Sequence, residues 1–390
     1  MRYLYFIVKK IYRNWLHIIP FLFITAFLIV IYLGNRAGGY HSIKNPAFSG
    51  ESEVEAIQKD ILIFQEELTK YDVSSIEYQD SIDNLDIAQR RLKYLQQRLE
   101  AIKNEDWKSY YEGDLELTKI ILEVANLSVT PFEDDFMESL RLDQDYTQYM
   151  IDHELSYDER FLPFQGISYM SHAMKDYMPL ILGFLLTFIA STLYCSSYID
   201  DMNIHHLIPI SSLKKQGLKL LAGVIVGCFI VMIITTICIA LGTFGNTLGN
   251  MQSPILSYTL KGAHQYIPFM SILPQLCVLL VLSIVFLVQL VSVISIFVKK
   301  NLTCFMIAII IVAGGIWIIE NIVPIFPIAH LLPTTYLSSF KVVSGELLFV
   351  TSNTNVNVMN GMLVLSISNM ILFLLYAKIA KMYSRGGVKL

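Results

Sequence analysis

Long apolar runs alternate with short polar segments along most of this chain. Six runs approach or exceed the length of about 18 apolar residues that a helix needs to cross a bilayer. They are residues 16–33, 177–199, 218–241, 274–298, 302–319 and 361–377. A helix satisfies its backbone hydrogen bonds within one apolar segment. The pattern therefore predicts an all-α polytopic membrane protein with six transmembrane helices.

The largest polar segment, residues 34–176, lies between the first two runs. Its apolar residues recur at spacings of three and four in two segments separated by a short turn. These residues are Ile57, Ile61, Phe64, Leu68 and Tyr71, then Leu85, Ala88, Leu92, Leu95, Leu99 and Ile102. Such heptad spacing predicts an antiparallel hairpin of two helices. Further helices are predicted over about 109–125 and 133–153, which makes the segment a mainly helical, coiled-coil-containing domain.

Basic residues mark one side of the membrane. Thirteen Lys and Arg residues fall before the first run, after the second, fourth and sixth, or at the start of the third, whereas the other short loops hold only Lys261 and Lys341. This positive-inside pattern predicts that both termini are cytoplasmic and that 34–176 and the loop 242–273 lie outside. Residues 1–15 are predicted to form a cytoplasmic interfacial helix, and 378–390 a cytoplasmic tail.

Charge and composition separate the two parts further. Residues 34–176 carry 29 acids and 14 bases, a net charge of −15, while the remainder carries +11. An acidic outer surface favours solubility, and it would equally suit a cationic peptide partner. The whole chain is 54% hydrophobic and 16% charged, with a mean hydropathy of +0.52, whereas soluble domains are about 25% charged.

Cysteine usage bears on where the protein is found. The five cysteines lie in the apolar runs or at their ends, so the outer segment contains no disulfide. We expect the protein to lie in the cell membrane of a low-GC Gram-positive bacterium.

A short polar segment, 200–217, joins the second and third runs. It opens with two acids, passes through an apolar patch broken by Pro209, and reaches Ser211, which is a suitable N-cap for the next helix. Three lysines then lead into apolar sequence. The pattern predicts an amphipathic segment on the cytoplasmic face, suited to docking into another protein.

This segment resembles the first cytoplasmic loop of ABC-2 type exporter permeases. That family has an acid after the second helix, a Leu-x-Pro-[Ile/Leu]-Ser core and a later Lys. The matching residues are Asp200, Asp201, Leu207, Ile208, Pro209, Ile210, Ser211 and Lys219. Two features depart from the family: Asn203-Ile204-His205 stands where a Gly-Thr pair is usual, and Ser212 stands where Arg is common. A second element, Pro333 to Tyr336 followed by Gly345, resembles the family's Pro-[Phe/Thr]-x-Tyr and glycine motif.

The resemblance implies the permease subunit of an ATP-driven exporter. A separate ABC ATPase would hold ATP and Mg²⁺ and dock on the loop, and a second permease subunit, identical or related, would complete the path. The residues implied in ATPase coupling are Asp200, Asp201, His205, Leu207, Pro209, Ile210, Ser211 and Lys219. The substrate would be amphiphilic: a peptide or bacteriocin, an antibiotic or a lipid-linked molecule.

The segment 320–360 contains three prolines within an apolar stretch, which predicts a re-entrant or outer element covered by other protein. Ionisable or polar groups here and in the fourth run are candidates for a substrate path or outer gate. These candidates are Glu320, His330, Pro333, Tyr336 and Gln289. The alternatives are a solvated interface for Glu320 and helix–helix hydrogen bonding for Gln289. Gly223 and Gly227 form a small-xxx-small pair, which allows close helix packing and is weak support for a dimer face.

The sequence lacks the motifs that indicate nucleotide binding, metal binding or catalysis. It holds no glycine-rich phosphate loop ending in Gly-Lys-[Ser/Thr], no metal-binding Cys or His spacing and no catalytic constellation. We therefore expect no enzyme activity, no cofactor or metal on this chain and no nucleic-acid partner.

Two alternatives to the exporter remain open. One is an ATPase-independent scaffold, similar to phage-infection and type VII secretion accessory proteins, which share a permease-like core but carry longer outer domains. The other is a lipoprotein-release type permease, against which the count of six spans argues because that family has four.

Overall fold

The computed structural model describes residues 2–12, 17–44, 50–127, 133–196, 198–199, 202–203, 211–261 and 265–384. Within them, six helices are long and apolar enough to cross a membrane, which confirms the prediction of a helical, multi-pass membrane protein. The helices are α1 Arg2–Tyr12, α2 Ile18–Lys44, α3 Glu51–Lys70, α4 Ile76–Asn104, α5 Trp107–Leu127, α6 Asp134–Asp152, α7 Gly166–Asp176, α8 Met178–Cys195, α9 Ser212–Thr243, α10 Phe269–Val298, α11 Asn301–Asn321, α12 Ser339–Val343, α13 Glu346–Thr351 and α14 Val358–Ser384.

Short strands form two antiparallel ladders. Strands β1 (Tyr198–Ile199) and β2 (Met202–Asn203) pair just after α8. Strands β3 (Pro254–Ser257) and β4 (Gln265–Pro268) pair with Pro254 opposite Pro268. The sequence predicted only a loop over 242–273, so the second hairpin was missed.

The spanning helices α2, α8, α9, α10, α11 and α14 form one bundle. Helix α8 is its centre, with 78% of its apolar window buried, and α10 follows with 67%, whereas the other four have 17% to 33%. Leu185 and Val288 on these two helices are completely buried. Helix α10 packs against α8, α9, α11 and α14. The peripheral helices therefore keep broad apolar faces for lipid or another protein chain.

The glycine pair of α9 packs inside the chain. A Cβ at Gly223 would lie 2.7 Å from Val288, and one at Gly227 would lie 2.5 Å from Ile284, both on α10. The pair therefore brings α9 close to α10, and its interpretation as support for a dimer face was wrong. The small residues did indicate close packing, but of helices within one chain.

Helices α3 to α6 form the polar insertion and confirm the predicted helical hairpin with its two following helices. Each packs against the next in sequence, around a small core of Ile57, Ala88, Leu95 and Leu117. The Ser75 hydroxyl caps α4 by accepting from the backbone N–H of Tyr78 at 3.0 Å.

The start of α5, at Tyr111, and the end of α6, at Tyr149 and Met150, join the core of the bundle. Tyr149 on α6 donates to the Gln252 carbonyl at 2.9 Å, just before β3. The insertion is thus connected to the bundle by packed side chains and hydrogen bonds as well as by the chain itself.

The chain direction gives the bundle two ends. One, the basic end, holds α1, the end of α8, the start of α9 and the turn at Lys299 and Lys300. The other, the insertion end, holds the polar insertion, the β3–β4 hairpin and the segment between α11 and α14. That segment contains two 3-10 helices, Val323–Leu331 and Pro333–Leu337, followed by α12 and α13. As predicted, it forms no spanning helix.

Candidate functional site

The predicted coupling segment is described only in part. Asp200, Asp201, His205, Leu207, Pro209 and Ile210 lie outside the described residues. Ser211 is exposed and precedes α9 as predicted, but its hydroxyl makes no capping hydrogen bond. Lys219 is only 4% exposed, which is unusual for a lysine.

Lys219 belongs to a basic-end cluster formed by Ile7, Tyr194, Lys219 and Tyr376. Its Nζ lies 5.2 Å from the centroid of the Tyr194 ring, within the range of a cation–π contact. The Tyr194 ring in turn lies 6.5 Å from that of Tyr376 on α14. Helix α1 packs on α8 and α9, with Ile7 buried on its inner face. The predicted interfacial helix is thus packed against the two helices that flank the coupling segment.

Four of the predicted path residues lie in one hydrogen-bonded region at the insertion end. The Tyr336 hydroxyl donates to the His330 carbonyl at 2.8 Å, and the 3-10 helix that contains Tyr336 begins at Pro333. Glu320 forms an ion pair with Lys341 at 2.8 Å. The Asn353 side-chain amide lies 3.2 Å from His330 Nδ1. These contacts join the two 3-10 helices to each other, the first of them to Asn353 after α13, and α12 to the end of α11.

Gln289 lies deeper in the bundle. It is 3% exposed and donates to the Asn369 side chain at 3.4 Å, which joins α10 to α14. Ser283, about 9 Å along α10 from Gln289 at 1.5 Å per residue, donates to the Tyr336 carbonyl at 3.2 Å. The geometry agrees with the alternative that Gln289 connects helices.

A cavity of about 290 Å³, which no sequence pattern indicated, lies between the insertion and the bundle. Its walls come from α6, the connection 153–165, α7, the β3–β4 hairpin and the α12–α13 region. Gly345 holds one wall in place: its φ is +79°, and a Cβ there would clash with the Tyr258 carbonyl. Gly345 belongs to the second element that resembles the permease family. In this chain, close packing against Tyr258 explains why that position is a glycine.

Asp158 is the buried acid of this cavity. Its Oδ1 accepts from the backbone N–H groups of Glu159 and Phe164, both at 3.0 Å. Its carbonyl accepts from the Tyr146 hydroxyl at 3.1 Å, and its N–H donates to the Tyr111 hydroxyl at 3.2 Å. Its Oδ2 is buried and has no hydrogen-bond partner among the described residues. Burial raises the pKa of Asp158 from 3.8 to about 6, although the N–H groups of Phe164, Glu159 and Gln165 and the Ser168 side chain oppose the shift.

Other charged groups around the cavity are paired. Lys175 forms an ion pair with Glu346 at 2.8 Å. Burial lowers the pKa of Lys175, but the Glu346 carboxylate more than offsets this, so the net pKa is raised. Arg160 forms an ion pair with Asp143. By contrast, burial raises the pKa of Glu159, whose carboxylate accepts from the Tyr157 hydroxyl at 3.0 Å.

The chain matches no family model, and its comparison with curated proteins and with solved structures finds no match. Its function therefore has to be argued from its own residues.

Proposed function

We propose that this chain is the membrane-spanning permease subunit of an ATP-driven exporter whose ATPase is a separate chain. The proposal rests on the segment 200–217, the resemblance it carries and its place after the second of six spans. Both termini and this segment would lie in the cytoplasm, and the α3–α6 insertion outside. The proposed substrate is an amphiphilic molecule, with peptides favoured by the acidic insertion.

One observation supports a coupling role for the segment more than any other. It connects α8, the most buried spanning helix, to α9, which lies close against α10. A force applied to the segment would act first on the centre of the bundle, because close-packed interiors transmit displacement instead of absorbing it. A loop between two peripheral helices would have no such access.

The basic-end cluster supports the same role. Lys219, near the start of α9, contacts the ring of Tyr194, near the end of α8. This contact joins the two helices that flank the segment. Helix α1 packs on both α8 and α9, so the segment connects two helices that are held together by a third. We propose that Lys219 positions the segment by holding the start of α9 against α8. The residues before Ser211 would supply the docking surface.

The experiment is purification of the solubilised protein from its native membrane, followed by mass spectrometry and an ATPase assay. We expect a stoichiometric nucleotide-binding partner and ATP turnover with the wild-type chain. Leu207→Asp should insert normally but lose at least tenfold of the bound partner, because a charge would enter an apolar docking patch. Val73→Asp is the matched control, an exposed apolar residue on the α3–α4 turn at the insertion end.

Two results would overturn the proposal. One is a clean preparation without any ATPase, which would favour the scaffold alternative and make the helical insertion the functional part. The other is wild-type partner binding and ATP turnover in Leu207→Asp, which would remove the segment from the mechanism.

A further inference from the structure

The proposed exporter function makes no use of the cavity at the insertion end. We propose that this cavity binds an alkylammonium group, carried either by a small amine or by a lysine side chain. The geometry of the cavity supports this ligand whether or not the chain pairs with an ATPase.

The cavity contains a hydrogen-bond acceptor without a donor. Asp158 is 6% exposed, and its Oδ2 has no hydrogen-bond partner among the described residues. The Ser168 hydroxyl donates to Ser253 at 3.1 Å, and its hydrogen-bonding effect on the Asp158 carboxyl lowers the pKa by less than burial raises it. Leaving a buried carboxylate oxygen unsatisfied is costly. A ligand with N–H donors would satisfy it.

The charges around the cavity favour a positive ligand. Its two strong bases are already neutralised, Arg160 by Asp143 and Lys175 by Glu346. Asp158 and its neighbour Glu159 have no basic partner in the ion pairs of the described chain. Two adjacent acids without a basic partner, Asp158 buried and Glu159 half-buried, favour binding of a positive group.

The cavity lining suits an ammonium group better than a metal ion. Aromatic side chains line the cavity, among them Tyr146, Tyr258, Tyr266 and Phe161, and the Arg160 guanidinium already lies 4.8 Å from the Phe161 ring centroid and 6.0 Å from that of Tyr266. Aromatic faces attract organic cations, whereas hard metal ions need several oxygen ligands. No group of three or more His, Cys, Asp or Glu suited to a metal occurs in the part of the chain that the structure describes. The buried Tyr266 hydroxyl, also without a hydrogen-bond partner there, offers a second acceptor.

Size and access agree with this ligand. A volume of about 290 Å³ corresponds to roughly ten water molecules at ~30 Å³ each, enough for a butyl chain with its ammonium group. Phe161 lines the cavity and is 66% exposed, so the cavity reaches the protein surface beside it. A ligand can enter there without opening the bundle.

The test is binding of n-butylammonium to the full chain in lipid nanodiscs at pH 7.5, followed by saturation-transfer difference NMR. We expect saturable binding of n-butylammonium and none of n-butanol, which has the same chain without the charge. A blocked Gly-Lys-Gly tripeptide distinguishes the two sources of the ammonium group. Binding of the tripeptide at least as tightly as the amine assigns the site to a lysine side chain, and binding of the amine alone assigns it to small amines.

The affinities of variants for n-butylammonium show whether it binds in this cavity. Asp158→Asn should weaken n-butylammonium binding at least tenfold, and Tyr266→Phe, which keeps the ring and removes only the hydroxyl, several-fold. Asp135→Asn is the matched control, an exposed acid on the first turn of α6. If Asp158→Asn does not fold, Tyr266→Phe decides. Unchanged affinity in the folded variants, equal binding of n-butanol, or stoichiometric displacement of the amine by Ca²⁺ would overturn the proposal.

Discussion

The buried carboxyl of Asp158 should make the stability of the protein depend on pH in a direction opposite to that of most acids. Its pKa is raised from 3.8 to about 6 in the folded chain because burial disfavours the charged form. The folded state therefore holds this proton more tightly than the unfolded chain does. The resulting stabilisation is fully present below the unfolded pKa and is lost as the pH rises through the folded pKa.

The size of the effect follows from the shift. At 1.36 kcal/mol per pKa unit, a change from 3.8 to about 6 corresponds to about 3 kcal/mol between the two limits. Between pH 7.5 and pH 5.0 the group should contribute about 1.4 kcal/mol, since most of the protonation of the folded state occurs there. Asp158→Asn keeps an oxygen for the N–H groups of Glu159 and Phe164 and removes the titration. The variant should therefore lack this part of the pH dependence.

The assay is denaturant unfolding of the detergent-solubilised chain, followed by Trp107 fluorescence with Trp15 and Trp317 replaced by Phe. The Trp107 ring lies 5.5 Å from that of Tyr157, next to Asp158 in sequence, so it reports on this region. Groups common to both proteins, Glu159 included, cancel in the difference between wild type and variant. A difference that stays constant within about 0.5 kcal/mol from pH 7.5 to pH 5.0 would refute the reasoning.

Two further perturbations test the packing of the bundle and of the segment between α11 and α14. Gly227→Leu should destabilise the protein by about 1–3 kcal/mol or more, because even a Cβ there would lie 2.5 Å from Ile284. Thermal unfolding in nanodiscs measures this, and Gly314→Ala, which meets nothing within 4 Å, should lose no stability. Glu320→Gln should cost about 1–2 kcal/mol by leaving the partly buried Lys341 ammonium without its carboxylate. Restoration of part of that loss on adding Lys341→Met, in the same assay, would identify the ion pair as the cause.

Much of the architecture was predictable from the sequence because two local patterns determine it. Bilayer thickness sets the length of a spanning run, so hydropathy alone identified six helices. The heptad spacing around Leu92 and Leu95 identified the hairpin α3–α4, because that spacing describes a helix with one buried side. Neither inference needed knowledge of which helices touch.

The cavity could not be predicted, because its residues come together only through tertiary packing. Asp158, Tyr266 and Glu346 are far apart in the chain, and in sequence Asp158 is one more acid in an acidic segment. The β3–β4 hairpin that carries Tyr266 was missed since four-residue strands flanked by proline give little periodic signal. The glycines of α9 show the same limit: small residues indicate close packing, but the sequence does not name the partner helix.

The two candidate sites are physically related through α8. Lys175, on a cavity wall, lies one turn before α8 begins, and Tyr194 of the basic-end cluster is near its other end, about 24 Å from the start of the helix at 1.5 Å per residue. Helix α8 cannot slide past its neighbours without repacking, because Gly183 brings it within contact of Val312 on α11. Any movement imposed at the basic end is therefore expected to displace the bundle as a unit against the helical insertion. The cavity lies at that junction, with walls from both sides, so such a movement is expected to change its shape.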